Sequence, residues 1–76
     1  MEEKIKEMFA NVLQILGDNV NDDTKREDIE NWDSLQHIIL VAVFEEEFNI
    51  SIEPEEIVEM YKDYYTFKSI IMRKVR

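Results

Sequence analysis

The chain has 76 residues and a formal net charge of −9, with a single glycine, a single proline and no cysteine. A chain of this length is expected to form one domain, residues 1–76, with a small core and little room for an enclosed catalytic pocket. The absence of cysteine excludes disulfides and thiolate metal sites. The negative charge argues against binding to nucleic acids and to anionic membranes.

The first predicted helix runs from about Glu2 to Leu16. Its apolar residues recur every three or four positions and would line one face, which is typical of a helix packed on a core. They are Ile5, Met8, Phe9, Val12, Leu13 and Leu16. Gly17 lies where a left-handed C-terminal cap belongs, because glycine adopts that conformation without a Cβ clash.

The polar connection that follows, residues 18–33, is long for so small a domain. Val20 and Ile29 are expected to anchor it to the core. Its acidic stretch, residues 18–23, is similar to a calcium-binding loop. However, Val20 and Ile29 would then fall at positions that need an oxygen ligand. No metal site is therefore expected.

The second predicted helix begins at Asp33 or Ser34 and ends near Phe48. Asp33 is a suitable N-cap, which makes Ser34 the first helical residue. We expect Leu35 to anchor the first turn in the core while Ser34 points outward. The rest of this helix is apolar over most of its circumference, which favours either a central position or a surface partly exposed for a partner.

A short third helix is predicted from Pro54 to about Tyr61, with the proline in its first turn. A fourth helix is predicted after Thr66 as N-cap. Its inward residues would be Phe67, Ile70, Ile71 and Val75, and its basic end holds Arg73, Lys74 and Arg76. Three tyrosines near the junction of the two helices, Tyr61, Tyr64 and Tyr65, together with Met60, are expected mostly to fill the core. The sequence predicts an all-α four-helix bundle with three longer helices and a short third one.

Ser34 has two interpretations when only its neighbours are considered. A phosphate attached to it would be stabilised by the N–H groups and the positive dipole end of the helix. Alternatively, Ser34 only helps to cap the helix, which is the better explanation for a tripeptide alone. A catalytic dyad with His37 lacks an orienting group and an oxyanion hole that the sequence can identify, so no enzymatic activity is expected. His37 is expected to hydrogen-bond near the helix start or to contact an attached group.

The order of motifs along essentially the whole chain resembles the acyl carrier protein family. The motifs are the long loop, Asp33-Ser34-Leu35, the stretch Glu45-Glu46-Glu47-Phe48, the Glu55-Glu56 pair of the third helix and the fourth helix entered through Thr66. The resemblance implies that a phosphopantetheinyl transferase attaches 4′-phosphopantetheine from coenzyme A to Ser34. The arm would hold acyl or aminoacyl groups as thioesters for loading and acyl-processing enzymes of fatty-acid, polyketide or other specialised biosynthesis. Candidates for a lining that shelters the acyl chain are Ile38, Val41, Ala42, Phe44, Ile57 and Val58.

Three residues near Ser34 depart from the carriers of fatty-acid synthesis. Ile39 stands where those carriers typically have an acid, and Gln36 stands where they often have another. Trp32 stands where many of them have a small residue or a glycine-containing turn. Trp32 would either pack over the loop or lie exposed beside Ser34. The residues expected to contact partners are Trp32, Gln36, Ile39, Glu45 and Glu46. The departures favour a stand-alone carrier of a specialised pathway, such as polyketide, peptide or surface-glycan modification.

A second function class fits the same composition, namely an acidic helical interaction domain that has no prosthetic group and docks a basic partner. The longest apolar run, residues 38–44, is too short to span a bilayer. The acidic start, residues 1–5, is unlike a signal peptide. We expect a cytoplasmic monomer.

Overall fold

The structure is a computed structural model that describes residues 1–75 and contains four α-helices. Their ranges are α1 Glu2–Leu13, α2 Ser34–Phe48, α3 Pro54–Glu59 and α4 Tyr64–Val75. Two short 3-10 turns, Gly17–Asn19 and Arg26–Asp28, lie between α1 and α2. The predicted all-α bundle with a short third helix is confirmed. Arg76, expected in the last turn of the fourth helix, lies outside the described residues.

The helices of residues 1–75 all fall short of the length and apolar content that crossing a bilayer requires.

α1 ends three residues earlier than predicted. Gln14 adopts a left-handed backbone, with φ 58° and ψ 46°, and its N–H bonds back into the last turn. The N–H of Ile15 donates to the carbonyl of Ala10 at 3.0 Å, which completes a Schellman C-terminus. Gly17, the predicted cap, begins a 3-10 turn without a positive φ. Leu16, predicted to face inward, is 71% exposed because the helical periodicity no longer applies beyond this cap.

α4 begins at Tyr64 and not after Thr66. The Oδ1 of Asp63 accepts the N–H of Thr66 at 2.7 Å, and its carbonyl accepts the N–H of Phe67. Asp63 is therefore the cap, and Thr66 lies inside the first turn. A carboxylate is the stronger acceptor here because it carries a charge.

One apolar core joins the helices to the connection between α1 and α2. The ring of Phe9 makes edge contacts with Trp32 and Tyr64, each with ring centroids 5.0 Å apart, and with Phe67 at 5.1 Å. Such geometry is favourable because the positive edge of one ring meets the negative face of another. Val20 and Ile29 are both buried, so their predicted role as loop anchors is confirmed.

Polar contacts hold the same connection to α1 and α4. The Nζ atom of Lys68 lies 2.7 Å from Asp22 and 3.1 Å from Glu2. The hydrogen bond to Asp22 is the main cause of the raised pKa of Lys68, which is nearly buried. The N–H of Tyr64 donates to the carbonyl of Thr24 at 2.9 Å. The loop that leads into α2 is thus held in place.

The left-handed residue at the end of α1 gives a stability prediction. Gln14→Gly should raise the free energy of unfolding by about 0.5–1 kcal/mol, because glycine adopts a positive φ without a Cβ penalty. Gly17→Ala is the matched control, since a methyl group there meets no atom within 4 Å, and it should not lower stability. Urea unfolding followed by circular dichroism measures both. A less stable Gln14→Gly protein would contradict this account of the cap.

Candidate functional site

The start of α2 presents Ser34 to solvent. Asp33 has an extended backbone, and its Oδ1 accepts the N–H of Gln36 at 2.8 Å. Its carbonyl accepts the N–H of His37, also at 2.8 Å. Asp33 is therefore the cap and Ser34 is the exposed first residue of the helix, as predicted. Because Asp33 supplies the cap, capping does not explain the serine.

Leu35 does not anchor the first turn in the core, which corrects the prediction. It is 67% exposed, and Ile38 and Ile39 are 56% and 41% exposed. Together with the exposed Ala42, these residues occupy one side of the helix, called here the apolar face of α2. The opposite side of α2 meets the core and carries His37, Leu40, Val41 and Phe44.

Trp32 lies inside the bundle and not beside Ser34 at the surface. Its side chain is 1% exposed and contacts the ring of Phe9 edge-on. Its Nε1–H donates to the Nδ1 of His37 at 3.0 Å, which satisfies the indole N–H in a buried position. The predicted partner contact by Trp32 is therefore wrong, and the packed alternative is correct.

His37 joins α2 to α3 from within the core. It is 3% exposed, and its ring lies against Tyr61 with centroids 4.7 Å apart. Nε2 is 2.7 Å from the carbonyl oxygen of Ile57. Because the indole of Trp32 can only donate, Nδ1 must be unprotonated, so Nε2 carries the hydrogen that the carbonyl accepts.

These two hydrogen bonds exclude the Ser34–His37 dyad, because neither ring nitrogen can accept the serine proton. The expected hydrogen bond near the helix start is present, but its partner is a core tryptophan. In the sequence His37 shares the helical register of Leu40, Val41 and Phe44, but the opposite side of the helix is also apolar, so this register alone does not place the ring in the core.

The other predicted partner residues are spread along α2. Gln36 is partly exposed and Ile39 is exposed, both close to Ser34 in the chain. Glu45 has a structural role, since its Oε2 accepts the N–H of Ile52 at 2.9 Å and holds the loop before α3. Glu46 is exposed but lies about 18 Å along the helix from Ser34.

The six candidates for an acyl-chain lining divide between core and surface. Val41 and Phe44 are buried, and Ile57 is partly buried. The exposed members are Ile38, Ala42 and Val58. The six residues therefore differ in burial and do not form one continuous buried cluster.

A family model and two known proteins match most of the chain. Residues 3–64 match the family model described as a phosphopantetheine attachment site. The chain is 38% identical over 56 residues to an acyl carrier protein of Buchnera aphidicola subsp. Baizongia pistaciae, and the alignment covers 74% of this chain and 72% of the relative. An acyl carrier protein of Petrotoga mobilis is also 38% identical, over 55 residues, with 72% of this chain and 65% of the relative covered.

The buried imidazole predicts how stability depends on pH. Burial lowers the pKa of His37 from 6.5, and the hydrogen bond to Ile57 only partly opposes this. Above pH 6.5 the imidazole is neutral in both states. Below pH 6.5 the unfolded chain binds a proton at His37, while the folded chain does not, because its pKa is lower. The free energy of unfolding therefore falls as the pH is lowered, until the pKa of the folded state is reached.

Urea unfolding between about pH 7.5 and 5.5, where carboxylates stay ionised, measures this slope. His37→Gln retains a donor and an acceptor but does not titrate, and it should lose most of the slope. An equal slope in both proteins would assign the pH dependence to other groups.

Proposed function

The chain belongs to the acyl carrier protein family, whose members are carriers with covalent 4′-phosphopantetheine and not enzymes, and we propose that Ser34 bears this group. The observation that carries the proposal is the exposed position of Ser34 at the start of α2, beyond the Asp33 cap. Family membership also removes support from the alternative of an interaction domain without a prosthetic group.

The start of α2 suits a phosphodiester. The N–H groups of the first turn and the positive end of the helix dipole stabilise an attached phosphate. Asp33 holds this turn in shape, and His37 ties it to the core. On attachment, the Oγ of Ser34 bonds to the pantetheine phosphorus, the diphosphate bond of coenzyme A breaks, adenosine 3′,5′-bisphosphate leaves, and the hydroxyl proton is released to solvent. The thiol of the arm then carries the cargo as a thioester.

The partners of an acyl carrier protein are transferases and biosynthetic enzymes in general. For this chain we propose dedicated partners of a specialised pathway in the cytoplasm, which contact the apolar face of α2 and Gln36. No acid occurs between Asp33 and Glu45. The half of α2 nearest Ser34 therefore offers apolar side chains to a partner, and not the acidic surface that would bind a partner's basic residues. Exposed apolar side chains that adjoin one another are typical of a protein contact surface.

Attachment at Ser34 can be tested by mass. Incubation of the unmodified protein with coenzyme A and a broad-specificity phosphopantetheinyl transferase should add one phosphopantetheine, measured by intact-mass spectrometry. Ser34→Ala should abolish the addition. Ser51→Ala replaces another exposed serine and should leave the addition unchanged. Modification of a folded Ser34→Ala protein would place the arm on another residue.

The role of the apolar face of α2 in partner recognition can be tested with Ile39→Glu. This substitution introduces an acid where carriers of fatty-acid synthesis have one. The holo-protein should become a better substrate for a bacterial malonyl transferase of that pathway. One added charge contact of about 1 kcal/mol corresponds to an increase of about fivefold in kcat/KM, and the gain should shrink as salt is added.

Asn11→Glu is the matched control, because it adds the same charge at an exposed position of α1. An equal gain in this control would attribute the effect to net charge, and the proposed role of Ile39 would fail.

A further inference from the structure

We propose that His37 closes the interface between α2 and α3, and that the cargo is therefore a short or polar acyl group such as an acetyl or aminoacyl group. This inference rests on the proposed attachment at Ser34 and concerns the thioester that the arm carries. It starts from the position of His37, one helical turn after Ser34, on the side of α2 that faces α3. A chain that folds back from Ser34 into the bundle by the shortest route would meet this side.

α3 is held on two sides. Toward α4, Glu56 pairs with Lys74 at 2.8 Å and with Arg73 at 3.1 Å. The hydrogen bond from Lys74, followed by the backbone N–H of Glu53, lowers the pKa of Glu56 to about 2, so these pairs persist throughout the neutral range. Toward α2, the bond from His37 to the carbonyl of Ile57 closes the interface.

The space behind His37 is occupied by aromatic rings. Tyr61 lies on one side, and Phe67 and Trp32 lie deeper, with centroids 6.2 Å and 6.0 Å from the imidazole. An acyl chain that displaced His37 would leave the N–H of Trp32 and the carbonyl of Ile57 without partners in apolar surroundings. The loss of those two bonds opposes the gain from burying the chain.

The candidate side chains that remain accessible to a cargo lie at the surface and not within the interface. Ile38 is 56% exposed and Val58 is 75% exposed. A long acyl chain would therefore remain largely in water, where its apolar surface is unfavourable. A short or polar acyl group exposes little apolar surface and carries no such penalty. The closed interface therefore favours a short or polar acyl group as the cargo.

The test compares two cargoes on the same arm. The unmodified protein is loaded from acetyl-coenzyme A or decanoyl-coenzyme A by the transferase, and intact mass verifies each product. The rate of thioester cleavage by hydroxylamine is then divided by the rate for the corresponding free acyl-coenzyme A. In the natural chain the two normalised rates should agree. The melting temperature should likewise be the same with either cargo.

His37→Ala should open the interface and slow cleavage of the decanoyl thioester alone. Burial of only two methylene groups favours a sheltered form about tenfold, so a protection of about tenfold or more is expected. His37→Gln is the matched control and should behave like the natural chain, because it retains a donor and an acceptor.

Three results would overturn the inference. The first is slow cleavage or a raised melting temperature of the decanoyl form of the natural chain, a measurement that does not depend on any variant folding. The second is a folded His37→Ala protein with unprotected decanoyl thioester, which would show that His37 is not the barrier. The third is a failure to load either cargo, which appears in the mass before any rate is measured and would refute attachment at Ser34 as well.

Discussion

The hydrogen bonds that connect Trp32, His37 and Ile57 join the loop, α2 and α3 at one point in the core. They measure 3.0 and 2.7 Å and lie where water has little access to replace them. A neutral imidazole offers one acceptor and one donor on opposite sides of a rigid ring, so it can bind an indole N–H and a carbonyl together. The first turn of α2, and with it Ser34, takes its position from this connection.

The same connection explains why apolar side chains surround Ser34 at the surface. With His37 directed into the core at the start of α2, Leu35 and Ile39 must lie on the opposite side of the helix. Ser34, to which we propose the arm is attached, and the apolar face of α2 are therefore on the same turns. A partner that reaches the thioester also meets these side chains, and this proximity supports recognition without an acidic surface.

The long connection before α2 supports the site although it contains only two short 3-10 turns. Val20 and Ile29 are buried in the core, and Lys68 binds Asp22 across to α4. A buried ammonium needs such partners, because an unpaired charge there would be strongly destabilising. In so small a bundle the loop supplies core residues that the helices alone do not, and this keeps the N-terminus of α2 in place.

The sequence by itself determined the number and order of the helices, the Asp33 cap and the exposure of Ser34, because capping and the 3.6-residue period are local properties. The loop anchors followed from the two apolar side chains within a polar connection. Motif order likewise pointed to the family. Only the tertiary structure decided that Trp32 and His37 lie inside and Leu35 outside. α2 is apolar almost all round, so its pattern does not show which side meets the core. That choice depends on a hydrogen bond to α3, 20 residues further along the chain, and on the rings of Trp32, Tyr61 and Phe67 that surround the imidazole.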